Sequence, residues 1–353
     1  MDPPAPDLHR LLACAVEHQA SDLHLSAGLP PLLRIHGDMQ RLPGAALDDG
    51  QVRALVSQVM TDDQRQRFEH TLECDFAFEL PGLARFRANV FKQRRGVAAA
   101  LRTIPGRVLT LEDLGAPRVL ADLALRPRGL ILVTGPTGSG KSTTLAAMVH
   151  HLNESAHSHI LTIEDPIEFV HASRRCLVSQ REVGPCTHSF AAALRSALRE
   201  DPDAILVGEM RDLETIRLAL TAAETGHLVL ATLHTSSAPK TIDRIIDVFP
   251  AGEKELVRAM LSESLLAVIS QTLCKLRDGS GRVAAHEVLL GTPAIRNLIR
   301  EGKVAQMTSV MQTSQAQGMQ TLDQCLVDLV RRGRIAPAEA RRVARAPESL
   351  PVA

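Results

Sequence analysis

The chain contains the stretch Gly135-Pro136-Thr137-Gly138-Ser139-Gly140-Lys141-Ser142-Thr143. This stretch matches the phosphate-loop pattern G-x-x-x-x-G-K-[ST] at every fixed position. An apolar, β-branched run at 129–134 precedes it and predicts a buried strand, and a helical pattern at 144–149 follows it. A strand, a glycine-rich loop and a helix in this order are the context in which the pattern binds phosphate.

Each part of the loop has a physical role in holding phosphate. Its glycines allow backbone N–H groups to turn inward around phosphate oxygens, and the helix N-terminus adds the positive end of its dipole. Lys141 can reach the terminal phosphates, and the Ser142 hydroxyl can bind Mg²⁺. The alternative is an accidental glycine turn, which would match in about 1% of chains of this length. We therefore predict that residues 135–143 bind a nucleotide.

Composition excludes several other classes of protein. The 353 residues suggest two or three domains, and 40 Lys+Arg against 40 Asp+Glu give zero net charge. Neutral charge and 2% aromatic residues argue against a nucleic-acid binder. The six cysteines contain no C-x-x-C pair, and no apolar run approaches the roughly 18 residues of a membrane span. We expect an intracellular protein without a transmembrane segment or secretory signal, so that any membrane role would go through a partner.

The first 104 residues predict a small α+β domain with an antiparallel sheet. Three of its predicted strands, 73–80, 84–93 and 97–102, alternate apolar and polar residues. On this pattern Arg85, Arg87 and Arg102 share one polar face, which spacing alone explains best as a solvated basic surface. Residues 105–116 predict a linker.

The second domain, 117–353, shows apolar runs separated by helical patterns, which is typical of an α/β domain with a mostly parallel sheet. Glu164, Glu209 and His234 each follow a predicted strand, and His227 lies near the start of the strand that ends before His234. Ligands bind beyond the carboxyl ends of such strands, so we expect these groups near the phosphates. A hydrolase needs a carboxylate near Mg²⁺ and a group that positions water; either glutamate could be the base.

Beyond residue 253 the chain reads as mostly helical. Residues 255–276, 293–301 and 322–332 predict helices, and 347–353 predict a loose tail.

Taken together, these motifs resemble those of type IV pilus retraction ATPases of the PilT kind, within the secretion ATPase superfamily. The resemblance covers nearly the whole chain. Val207–Asp212 resembles the family's atypical Walker B motif, and Ala294–Ile299 resembles a motif linked to retraction rather than to hydrolysis. The other matching segments are Ala20–Leu25, Gly135–Thr143, Thr162–Glu168 (the aspartate box) and Thr225–Thr235 (the histidine box).

The resemblance implies a PAS-like N-terminal domain and a RecA-like P-loop motor domain. It implies a cytoplasmic homohexamer, docked peripherally under an inner-membrane platform protein, that uses ATP and Mg²⁺ to pull pilin from the fibre. In this family N-terminal arginines reach the nucleotide, so the resemblance assigns Arg85, Arg87 and Arg102 to the site. His227 is assigned to the nucleotide, and Ser142 and Glu209 to the metal.

Two alternatives remain open at the level of sequence. One is a motor for pilus assembly or type II secretion, although the four-cysteine metal site of many such proteins is absent. The other is a nucleotide-binding scaffold with little turnover. A nucleic-acid translocase would share the motor fold, but the neutral charge disfavours it.

Overall fold

The computed structural model describes residues 7–35, 37–104 and 106–350, and within these ranges the chain forms two compact units. The division falls between Arg107 and Val108, inside the stretch that the sequence predicts as a linker. Pro105 of that stretch and residues 351–353 of the predicted tail lie outside the described residues.

The first unit combines short helices with one antiparallel sheet. Its helices and strands are α1 (Leu8–Glu17), β1 (Asp22–Ser26), β2 (Leu32–Ile35), β3 (Asp38–Arg41), α2 (Asp49–Ser57), α3 (Asp62–Thr71), β4 (Glu73–Leu80), β5 (Ala84–Gln93) and β6 (Gly96–Ile104).

The described strands of this unit pair in the order β3-β2-β1-β6-β5-β4. Alternation along β5 determines which face is buried: Phe86, Ala88 and Val90 are all 0% exposed and pack in the core. Arg87 pairs directly with Arg102 across β5 and β6, so the two side chains share the opposite face. The predicted strands 73–80 and 84–93 are thus confirmed, and the third extends to Ile104.

The second unit alternates strands and helices. Its elements are α4 (Val119–Ala124), β7 (Gly129–Thr134), α5 (Lys141–Ser155), β8 (His159–Glu164), β9 (Leu177–Glu182), α6 (Phe190–Ala197), β10 (Ala204–Val207), α7 (Leu213–Glu224), β11 (Leu228–Leu233), α8 (Ala238–Asp247), α9 (Lys254–Ser264), β12 (Leu265–Lys275), β13 (Arg282–Leu290), α10 (Pro293–Arg300), α11 (Met307–Thr313), α12 (Leu322–Arg331) and α13 (Pro337–Val343).

Within the described residues its strands form one sheet in the order β13-β12-β7-β11-β10-β8-β9. All pairs are parallel except β12 with β13. Alternate residues of β7 enter different cores: Leu130 and Leu132 lie in one apolar cluster, Ile131 and Val133 in another. Both faces of the sheet are therefore covered, as the continuous apolar runs predict.

The predicted helix 255–276 is wrong in its second half. The helix α9 ends at Ser264, and the chain continues as β12, which pairs with the phosphate-loop strand β7. Val268 and Ile269 are β-branched and, together with Ser270, are almost fully buried in the sheet. Tertiary pairing overrides a helical pattern here because the strand covers the open edge of β7.

The predicted loose tail is also wrong for residues 347–350. Pro347–Ser349 forms a 3₁₀ turn, and Leu350 is 6% exposed in an apolar cluster with Leu322 and Leu326 of α12. Within the described part of the chain, no helix is long and apolar enough to cross a bilayer.

Candidate functional site

The glycine-rich loop joins the end of β7 to the start of α5. Gly140 caps α5 with φ 87° and has no side chain that could accept a hydrogen bond from the first turn of this helix. The next two helices along the chain, α6 and α7, are instead capped by the side chains of Ser189 and Asp212. The N–H groups at the start of α5 are thus arranged to bind an anion.

At two positions of the loop only glycine fits, because Gln271 of β12 lies too close for a Cβ atom. Gly135 has φ 144°, and a Cβ there would lie 2.3 Å from the carbonyl oxygen of Gln271. A Cβ at Gly140 would lie 2.8 Å from Nε2 of the same glutamine. Any larger residue at either position would therefore displace the loop from β12.

Gln271 of β12 holds the loop from outside it. Its Nε2 donates to the carbonyl oxygen of Ser139 at 2.7 Å, and its Oε1 accepts from Thr144 Oγ1 at 2.8 Å. The glutamine is 2% exposed and Thr144 is 2% exposed. One buried amide thus connects both sides of the loop to the neighbouring strand, and it keeps the cradle in shape.

Lys141 lies inside the loop. Its Nζ donates to the carbonyl oxygens of Gly135 and Pro136, both at 3.0 Å. Burial lowers the pKa of Lys141, and the negative charges of Glu209 and Glu168 oppose this effect. Both glutamates are therefore near enough to interact with the charge of the loop lysine.

Glu164 ends β8 and faces the start of α5. Together with Ser142, it lines a small cavity of about 40 Å³. Its Oε1 accepts hydrogen bonds from Thr162 Oγ1 at 2.6 Å and from Gln180 Nε2 at 3.2 Å. Burial nevertheless raises the pKa of Glu164 above its ordinary value, with the charge of Glu168 adding to the rise.

Glu209 follows β10 and binds two basic groups. Its Oε1 lies 2.9 Å from His234 Nε2, and its Oε2 lies 2.8 Å from an Arg211 guanidinium nitrogen. Burial favours a higher pKa for Glu209, but the hydrogen bonds and charges of Arg211 and His234 outweigh it and lower the pKa. The pKa values of two carboxylates at one site are therefore shifted in opposite directions, which is typical of groups with different catalytic roles.

His227 is not brought to this site. Its backbone carbonyl accepts from Gly129 at the start of β7, whereas Leu233 pairs with Thr134 at the end of that strand. The length of β11 separates His227 from the loop by about 20 Å. The prediction that His227 contacts a nucleotide is therefore wrong for a nucleotide held by the loop of the same chain.

The three arginines belong to the first unit. Arg87 and Arg102 face each other across β5 and β6, and Arg85 lies two residues from Arg87 on the same face. The Arg102 Nε donates to Asp22 Oδ1 at 2.9 Å, although its side chain remains 62% exposed. A shared polar face is confirmed, and a role at the nucleotide stays a prediction.

The retraction-type motif forms the amphipathic helix α10. Ile295 and Ile299 are 0% exposed and Leu298 is 9% exposed, so the apolar face of this helix packs in the core. Arg296 Nε donates to the carbonyl oxygen of Gly291 at 2.8 Å, so the arginine fastens the helix to the end of β13.

Sequence reasoning missed two glutamines of the site. Gln271 lies on β12, where the sequence predicts a helix, and only the pairing of β12 with β7 brings it beside the loop. Gln180 lies on β9, which was not predicted, and it binds Glu164 and the carbonyl oxygen of Phe169. The three consecutive polar residues Ser270-Gln271-Thr272, between the apolar run 265–269 and Leu273, were the signal available for the first.

Comparison with known proteins places the chain in a family. Residues 2–342 match the family described as Type II/IV secretion system protein. The chain belongs to this family. It is 64% identical over 344 residues to the Type IV pilus retractation ATPase PilT of Pseudomonas aeruginosa, an alignment that covers 98% of this chain and 100% of that protein. It is 62% identical over 320 residues to a twitching motility protein of Neisseria gonorrhoeae, covering 91% and 86% of the two chains.

Solved structures agree with the family assignment. The crystal structure of the pilus retraction motor PilT with bound ADP superposes with a TM-score of 0.90 at 48% identity, covering 98% of this chain and 99% of that one. The ATPase DotB of Legionella pneumophila gives 0.83 at 29% identity, covering 97% of each chain. The predicted α/β fold with a mostly parallel sheet is confirmed, and so is the resemblance stated from the motifs.

The contacts of Gln271 lead to a prediction about nucleotide affinity. Gln271→Ala removes both hydrogen bonds to the loop and leaves the buried Thr144 hydroxyl without its acceptor. We expect ADP to bind about 10- to 100-fold more weakly, because a stranded buried group and a loosened loop each reduce affinity. Fluorescence or calorimetric titration with ADP measures the change. The neighbouring Thr272→Ala is the control, and equal affinities of the two variants would contradict the role of Gln271.

Proposed function

We propose that the chain hydrolyses ATP and uses the energy to retract a type IV pilus, as a motor of twitching motility. The convergence of the phosphate loop with Glu164, Glu209 and His234 at one edge of the sheet carries this proposal. The names of its relatives, a pilus retractation ATPase and a twitching motility protein, support the same conclusion.

The two glutamates divide the chemistry by their surroundings. Glu164, whose pKa burial raises, is suited to accept a proton from the attacking water. Glu209, whose pKa is lowered beside Arg211, stays ionised and supplies fixed negative charge. Lys141 neutralises phosphate charge, and His234 lies beside Glu209 where it can contact the terminal phosphate.

The donor set of the loop fits ATP together with Mg²⁺. Ser139 Oγ is buried and has no hydrogen-bond partner among the described residues, and a phosphate oxygen would satisfy it. Mg²⁺ prefers one or two oxygen ligands from the protein together with substrate phosphates. Ser142 and Glu209 would hold the ion here, and it would neutralise charge on the phosphates.

The finer features of the proposal come from the family. We infer a homohexamer in the cytoplasm, peripheral to the inner membrane through a platform protein, which acts on pilin indirectly and binds no nucleic acid. Arg85, Arg87 and Arg102 would supply positive charge to the nucleotide from the first unit. Helix α10 would transmit turnover to retraction through Arg296, which fastens it to the end of β13.

Replacement of the loop lysine tests hydrolysis. We expect Lys141→Ala to reduce ATP turnover by at least about 100-fold, because the charge next to the phosphates is lost. Phosphate release by the purified protein measures this. Lys240→Ala, an exposed lysine at the start of α8, is the control and should retain parental turnover. Parental turnover by Lys141→Ala would end the proposal.

The role of Glu164 predicts a pH dependence. A general base works in its ionised form, so kcat should fall on the acid side of a pKa that lies above the ordinary value of a glutamate. The hydrogen bond from Thr162 favours the ionised form. Thr162→Val should therefore raise this pKa and move the acid limb of the pH–rate profile to higher pH.

Thr162→Ser, which keeps the hydroxyl, should leave the limb in place. If the limb of Thr162→Val coincides with that of the parent, Glu164 is not the base.

A deletion strain separates retraction from the other motor functions. Loss of a retraction motor should leave surface pili present while twitching stops, whereas loss of an assembly motor should remove the pili. Electron microscopy of pili and a motility assay on the deletion strain decide between these outcomes. A strain without pili would reassign the chain to assembly.

A further inference from the structure

The C-terminal segment, residues 344–350, contacts the connection that follows β11. This connection, residues 234–237, joins β11 to α8 and begins with His234. Arg345, which follows α13, donates from Nη2 to the carbonyl oxygen of Ser236 at 2.8 Å. A residue more than a hundred positions away in sequence thus binds the backbone of the connection.

A buried carboxylate extends this contact to the other end of the connection. The same Arg345 nitrogen lies 2.8 Å from Glu287 Oε2, and Glu287 Oε1 accepts from the backbone N–H of Ala238 at 2.6 Å. The Glu287 side chain is 4% exposed; burial raises its pKa, and the charge of Arg345 and the hydrogen bonds from the backbone N–H groups of Ala238 and Leu322 oppose this effect. Arg345 and Glu287 together hold the backbone at residues 236 and 238.

The arginine is itself held in place. Asp323, in the first turn of α12, accepts from the backbone N–H groups of Arg345 at 2.9 Å and of Ala346 at 3.1 Å. Leu350 is buried against the cluster that contains Leu326 of α12. The segment is therefore held at Arg345 and Ala346 and again at Leu350, which keeps the Arg345 guanidinium next to the connection.

The connection carries a group of the proposed site. His234 Nε2 lies 2.9 Å from Glu209 Oε1, and Thr235 Oγ1 is hydrogen-bonded to Thr241 Oγ1 at 2.7 Å. His234 is 45% exposed, so packing around its ring contributes little to its orientation. The backbone contacts on either side of Ser237 add to the pairing of Leu233 with Thr134, which fixes the end of β11, and to the contact of this histidine with Glu209.

We propose that Arg345 is a positioning residue for ATP hydrolysis. Through Ser236 and Glu287 it fixes the connection that carries His234, so the C-terminal segment sets the rate of the reaction at the loop. This inference rests on the proposed function, because it needs His234 to act in turnover.

The variants Arg345→Ala and Arg345→Lys test the inference. Arg345 is 40% exposed and borders an open cavity of about 1060 Å³, so its truncation leaves no enclosed void. For Arg345→Ala we expect kcat to fall about tenfold, with KM for ATP and Kd for ADP each within about threefold of the parent. Arg345→Lys keeps the charge and should restore most of kcat.

Arg332→Ala is the matched control. Arg332 borders the same cavity and pairs with Asp328 at 2.8 Å, but its side chain is 71% exposed. This variant should keep parental kcat. A kcat for Arg345→Ala equal to that of the control would overturn the inference.

The double variant Arg345→Ala/Glu287→Gln separates positioning from loss of stability. Glutamine at position 287 removes the negative charge that would lack its partner, and its side-chain carbonyl can still accept a hydrogen bond from the Ala238 N–H. We expect the thermal midpoint to recover in the double variant while kcat stays low, because the bond to Ser236 is still missing. Recovery of kcat together with the midpoint would show that Arg345 acts on stability alone, and it would overturn the inference.

Hydrogen–deuterium exchange gives a readout that does not depend on turnover. The amide of Ala238, which donates to Glu287, should exchange faster in Arg345→Ala than in the parent or in Arg332→Ala. If the parent hydrolysed no ATP, the proposed function would fail, and this exchange would still show whether Arg345 holds the connection. Unchanged exchange at residues 236–238 would overturn the contact itself.

Discussion

The parallel pairing of β7, β11, β10 and β8 is the constraint on which the site depends. Their register brings Thr134, Leu233, Val207 and Ile163 to the same edge of the sheet. The loop, His234, Glu209 and Glu164 follow these strands, so they meet there without any special arrangement of their own. The same register excludes His227, which lies at the other end of β11. In a parallel sheet, the end of the strand on which a residue lies decides whether it can reach the ligand.

Local partners then differentiate groups that the sheet has brought together. Two glutamates end neighbouring strands, yet the pKa of one is raised and that of the other is lowered. The difference comes from their partners: Glu164 meets a threonine hydroxyl and an amide, whereas Glu209 meets a guanidinium and an imidazole. Carboxylates that are equivalent in sequence thus become suited to different steps.

The contacts around the loop and the histidine come from late parts of the chain. Gln271 of β12 binds the loop, and Arg345 binds the connection after β11. In both cases a single side chain contacts backbone carbonyl groups of a segment that lacks regular structure. Local hydrogen bonds satisfy only some of the polar backbone groups in such segments, so polar side chains from neighbouring elements bind others.

Local chemistry was enough to predict the loop, the strand ends and the alternating strands of the first unit. Glycine spacing, apolar runs and two-residue alternation reflect short-range physics, and Gly135–Thr143, Glu164, Glu209 and the shared face of Arg87 and Arg102 followed from them. The strand at 265–275 was misread as helix because its residues are compatible with either form until β7 pairs with it. Gln271, Gln180 and Arg345 bind groups that are far from them in sequence. A local sequence pattern does not show which distant side chain will contact a given segment. These side chains reach the site only when the whole unit folds.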